Sequence, residues 1–101
     1  MLPLYRVDPT GPAKQQMREL LAKASPGNER QVVRDALMTV VSQLETRPQD
    51  WGDPLHRTHK EGGRVYRGII SPLVVRYALF ESEKVVWLLD VRALPNSPQA
   101  E

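Results

Sequence analysis

The chain has 101 residues, 14 of them Lys or Arg and 12 Asp or Glu, for a net charge of +2. That length allows one domain with one modest core and excludes two. Hydrophobic residues make up 41% and there is no cysteine, which excludes a disordered polymer, a disulfide scaffold, a cysteine zinc site and a thiol nucleophile.

Residues 2–7 suit a short strand, with Pro3 at an edge or outside the ladder. Asp8 to Pro12 reads as a break. Thr10 or Asp8 can cap the segment that follows, and Pro12 fits a first helical turn, where its missing N–H has no partner to lose. Ala13, Met17, Leu20, Leu21 and Ala24 then form one stripe, which predicts a helix over 13–24. Ser25-Pro26-Gly27-Asn28 turns the chain. Asn28 with Gln31 reads as a capping box, with Ser25 as the alternative cap. Val33, Leu37, Val40, Val41 and Leu44 predict a second helix over 29–46, which Pro48 ends. So short a turn makes the pair an antiparallel hairpin.

Residues 47–63 read as irregular, because Pro48, Gly52, Pro54, Gly62 and Gly63 break any period. From Arg64 the period becomes two. The first strand, 64–70, sets Val65, Arg67 and Ile69 on one face and Tyr66, Gly68 and Ile70 on the other. After Ser71-Pro72, the strand 73–80 is apolar on both faces except at Arg76. Residues 81–84 form a polar turn. The strand 85–91 sets Val85, Trp87, Leu89 and Val91 against Val86, Leu88 and Asp90. Residues 95–101 read as a flexible tail on a single domain spanning 1–94.

The order strand, helix, helix, then three strands predicts an α+β domain. A helical hairpin packs on one face of a small antiparallel sheet. Met17, Leu21, Val33, Leu37, Val40 and Leu44 are the expected contact. Strands 73–80 and 85–91 are apolar on both faces, so the open face is expected to take a partner protein, a second copy or the tail. No apolar run nears the roughly 18 residues that span a bilayer, and the N-terminus does not read as a signal peptide. The expected location is the cytoplasm, with no membrane partner.

Charge is concentrated between residues 56 and 67. Arg57, Lys60, Arg64 and Arg67 face only Glu61, so this stretch holds +3 and the remainder sums to −1. His56 and His59 lie within it. Cations near histidine and tyrosine suit an RNA backbone and its bases, although a basic loop also solvates well without any partner. Imidazole chemistry makes either histidine a candidate general base for a ribose hydroxyl, beside the plain reading of a loop histidine with no role. Two histidines and Asp53 make a poor metal site, and no metal or other cofactor is expected. Arg76, in an apolar strand, must reach water, a phosphate or a carboxylate, and Asp90 is the candidate carboxylate.

Three passages carry a resemblance: Gly63-Arg64-Val65-Tyr66-Arg67-Gly68, Pro72 to Leu79, and Glu83 to Val91. With the element order, they resemble the RelE/ParE superfamily of bacterial toxins over about residues 2–92. The resemblance implies a toxin of a type II toxin–antitoxin system, neutralised by an antitoxin protein. RelE-like members cut messenger RNA on the ribosome, where the ribose 2′-hydroxyl attacks the adjacent phosphate. ParE-like members act on gyrase and are not nucleases, so a non-catalytic or inactive relative is the alternative. Val74 and Val75 stand where a strand arginine is expected, and Arg92 alone follows the last strand as a cation. On the nuclease reading, Arg57, Lys60 and Arg64 hold phosphates. Arg67, Arg76 and Arg92 meet the reacting phosphate, and His59, or failing that Tyr77, takes the hydroxyl proton.

Overall fold

The computed structural model describes residues 4–57 and 62–95. Its elements are β1 (Arg6–Pro9), α1 (Gly11–Lys23), α2 (Asn28–Thr46), α3 (Pro48–Trp51), β2 (Asp53–Arg57), β3 (Gly63–Ile70), β4 (Leu73–Phe80) and β5 (Val85–Ala93). The strands form one sheet in the order β1-β5-β4-β3-β2. Strands β2 to β5 pair antiparallel, and β1 joins β5 in parallel. The α+β architecture is as expected, with one additional strand and one parallel pairing at the edge. No helix among the described residues is long and apolar enough to cross a membrane.

Of the strand expected over 2–7, residues 2 and 3 lie outside the described residues and residues 4 and 5 precede β1, which covers 6–9. Pro9 does not break it, because an edge strand can lose an N–H without losing a ladder bond. Thr10 then joins helix to sheet. Its N–H donates to the Leu88 carbonyl at 2.9 Å, its hydroxyl donates to Leu89 O at 3.0 Å, and the same oxygen accepts from Ala13 N at 3.2 Å. α1 thus starts on a side-chain cap with Pro12 in its first turn. α2 starts without one. Asn28 is already helical, and Gly27, at φ 93°, takes the position before it. The expected capping box is absent, because the Gln31 side chain donates to Asp35 instead.

The helices bury Ala13, Leu20, Val33, Ala36, Val40 and Leu44 against Tyr66, Leu73, Val75, Tyr77, Leu79, Val86, Leu88 and Val91. Met17, Leu21 and Leu37, expected at the centre of this contact, are only partly buried at its margin. Leu44 is fully enclosed. Leu44→Ala should therefore cost about 2–5 kcal/mol, and Leu37→Ala less than half of that, read from urea unfolding midpoints.

Residues 47–57 are not irregular. They form α3 and β2, held by a tertiary anchor rather than by any local period. The Tyr77 hydroxyl donates to Pro48 O at 2.6 Å and accepts from Gly52 N at 3.0 Å. Trp51 lies on Gly68, where a side-chain carbon would run into the indole ring.

A bulge in β5 corrects the expected faces of that strand. Arg76 pairs with Asp90 and Tyr77 with Leu88, which leaves Leu89 over. Past Leu89 the alternation inverts. Val91 joins Val86 and Leu88 in the helix-side core. Asp90 moves to the opposite face, beside Arg76.

Candidate functional site

The sheet face turned away from the helices carries a row of charged side chains. Residues paired across strands project to the same side. Register therefore sets Asp53, Arg67, Arg76 and Asp90 in one row across β2, β3, β4 and β5. Ile69, Val74 and Arg92 make the adjacent row. On the other side lie Val65, Ala78 and Phe80, buried with Leu89 against them, and a partly exposed Trp87.

Asp90 is the hub. Arg76 Nε donates to its Oδ2 at 2.7 Å, and a second Arg76 nitrogen meets the same oxygen. Arg92 Nε lies 3.8 Å from Oδ1. The Asp90 side chain is 10% exposed, that of Arg76 46% and that of Arg92 69%. The hydrogen bond to Asp90 holds the Arg76 guanidinium above its ordinary pKa, against the opposing pull of desolvation. Arg67 is exposed next to Arg76 and makes no ion pair among the described residues. Three guanidiniums against two carboxylates leave this patch at +1. That charge suits a phosphate better than it suits a cation.

Arg67, Arg76 and Arg92 thus lie on one face of the sheet, Arg67 beside Arg76 and Arg92 within reach of Asp90. Arg64 belongs to the other parity of β3, opposite Leu79, and lines a shallow groove of about 220 Å³ with Pro54, Leu55 and His56. Arg57 ends β2 opposite Arg64. His59 and Lys60 lie outside the described residues. Among the described residues no cluster of three His, Cys, Asp or Glu side chains could hold a metal ion.

Tyr77 requires correction. It is completely buried on the helix side, stacked between Trp51 at 5.7 Å and Tyr66 at 5.3 Å. Both hydrogen-bonding roles of its hydroxyl are taken by Pro48 and Gly52. Burial pushes its pKa up to about 12, with the Gly52 N–H pulling the other way. A buried phenol with its proton committed to a carbonyl is no base for a hydroxyl on the opposite face. Arg76 precedes it in β4, and alternation along the strand puts the two on opposite sides. Asp53, weighed from the sequence only as a metal ligand, is not foreseen on this face. Its place in the row depends on β2, whose pairing no local period announces.

No protein-family profile and no curated protein matches this sequence. Solved structures do. The chain is 16% identical to one in an archaeal RelE–RelB complex from Pyrococcus horikoshii, with a TM-score of 0.64 over 93% of this chain and 99% of that one. It is 22% identical to one in the toxin–antitoxin complex RelBE2 of Mycobacterium tuberculosis, also at 0.64, over 92% and 93%. A chain of the chromosomal ParDE system of P. aeruginosa matches at 9% identity and a TM-score of 0.61, over 90% and 97%. The fold is that of the RelE/ParE-like toxins.

Proposed function

We propose that the chain is the toxin-like member of a type II toxin–antitoxin pair, working in the cytoplasm as a ribosome-dependent messenger RNA endonuclease. The observation that carries this reading is the gathering of Arg67, Arg76 and Arg92 on one partly apolar sheet face, with Arg76 and Arg92 sharing Asp90. The fold it shares with chains of RelE–RelB, RelBE2 and ParDE complexes supports an antitoxin protein as partner.

In this reading Arg67, which makes no ion pair among the described residues, and Arg92, the more exposed of the two partners of Asp90, grip the scissile phosphate. Arg76, keyed to Asp90, fixes the spacing between them. Arg57, Lys60 and Arg64 hold neighbouring phosphates. The ribose 2′-oxygen bonds to phosphorus, its proton passes to His59, and the bond to the 5′-oxygen breaks, with that oxygen keeping the electron pair and taking a proton from water. The arginines offset the charge that grows on the phosphoryl oxygens.

The test is induced expression, with growth and messenger integrity followed together. Wild type should arrest growth and cleave ribosome-bound messenger. Arg67→Ala and Arg92→Ala should each slow cleavage by about a hundredfold or more. Intact messenger in arrested cells would overturn the nuclease reading. It would support a protein target such as gyrase, which the commitment of Arg76 to Asp90 and the burial of Tyr77 favour.

A further inference from the structure

On α2, Gln31, Arg34, Met38, Val41 and Glu45 follow one another at intervals of three, four, three and four residues. That is the spacing of a helix–helix seam. It lies on the side of α2 away from the core, because Val33, Ala36, Val40 and Leu44 face the sheet. Met38 is 71% exposed and Val41 38%, a high cost in apolar surface for a helix with a complete buried face elsewhere. Leu37, Met38, Val41, Ser42 and Glu45 line a shallow groove of about 330 Å³ there. Neither Arg34 nor Glu45 forms an ion pair among the described residues.

We infer that this seam docks a second copy of the chain, α2 against α2, antiparallel about a twofold axis between residues 39 and 40. In that register Met38 meets Val41 of the second copy, and Arg34 meets Glu45 of the second copy. The twofold repeats both contacts. An apolar centre is closed at each end by opposite charges. A parallel pairing would set Arg34 against Arg34 and Glu45 against Glu45, which repel. The seam is therefore self-complementary in one orientation only, which is why a second copy fits it without help from another partner. It spans about 21 Å of helix, from the 1.5 Å rise per residue. That is small for an interface, so the dimer is weak, with a dissociation constant on the order of 100 μM. The inference is independent of what the sheet face binds.

Sedimentation equilibrium of the full chain from about 5 μM to about 500 μM tests it across that constant. The average mass should climb from 11.5 kDa toward twice that value. Met38→Glu should hold the chain monomeric. Arg34→Glu and Glu45→Arg should each weaken association by about tenfold, and the two together should restore it to within a few-fold of wild type. Far-UV circular dichroism checks that each variant stays folded. A chain that is monomeric throughout the range, or one whose association ignores Met38→Glu, overturns the proposal. Failure of the charge swap to restore association overturns it as well.

Discussion

Tyr77→Ala should remove about 3–5 kcal/mol of stability, a large share of the roughly 5–15 kcal/mol a domain of this size has. The ring fills the middle of the helix-side core and stacks on two aromatic neighbours. Its hydroxyl also anchors α3 to the sheet through Pro48 O and Gly52 N. Tyr77→Phe separates these roles. It keeps the ring and leaves two backbone groups unpartnered, for about 1–3 kcal/mol. The alkaline limb of stability adds a second signature. The folded-state pKa of Tyr77, about 12, lies above the ordinary phenol value of 10. The unfolded chain therefore releases this proton first as pH rises. This contribution is complete below about pH 10 and declines between about 10 and 12. Urea midpoints measured across that window should fall more steeply in wild type than in Tyr77→Phe. Equal slopes would mean that the hydroxyl is not held as the structure shows it.

Asp90→Asn and Arg76→Ala should move RNA binding in opposite directions. Asp90→Asn frees two guanidiniums on the far face and raises the patch from +1 to +2. Affinity for a short single-stranded RNA should rise, and the salt dependence should steepen by about 0.7 in logarithmic slope for each additional phosphate neutralised. Arg76→Ala should weaken binding and flatten that slope. Stability should show a different asymmetry. Arg76, half-exposed, can turn to water when Asp90 is neutralised. Asp90 is 7% exposed and cannot do the same when Arg76 is removed. Only the 3.8 Å contact with Arg92 would remain to it. Arg76→Ala should thus cost about 1–3 kcal/mol and Asp90→Asn less. Filter binding at several salt concentrations, beside thermal melts, reads both effects. RNA affinity that is indifferent to both changes would remove this face from the RNA-binding reading.

The parts of the fold legible in the sequence are those whose order is local. The 3.6 period of α1 and α2, the alternation of β3, the continuous apolar run of β4 and the polar turn before β5 all fall where the side chains indicate. What escaped reading depends on partners far along the chain. α3 and β2 exist because Tyr77 reaches Pro48 and Gly52, and Pro54 disguises β2 as a loop. The bulge at Leu89 cannot be seen in a run of apolar residues, since each of them suits either face. The site follows the same division. The Arg76–Asp90 pair was foreseeable from two charges in apolar strands. The Arg67–Arg76 contact needs the β3–β4 register, and Asp53 needs β2. Tyr77 misleads because a tyrosine beside a strand arginine suggests chemistry, while alternation sends the two to opposite sides.

The parallel pairing of β1 with β5 bears on the order in which the molecule comes together. β1 is the first of the described strands, yet its hydrogen-bonding partner is β5, the last of them: Arg6 waits for Val85, and the Thr10 hydroxyl for Leu89, 79 residues later. α1 waits too, because Gln16 takes the Val91 N–H at 2.7 Å and the cap of the helix sits on β5. Such long-range closure delays folding. A chain without β5 leaves α1 without its main seat, α2 with only β3 and β4 to pack on, and the first strand with nothing to join. The far face has neither Asp90 nor Arg92 until that same strand arrives. Completion of the sheet and assembly of the arginine cluster are therefore one event, which waits for β5.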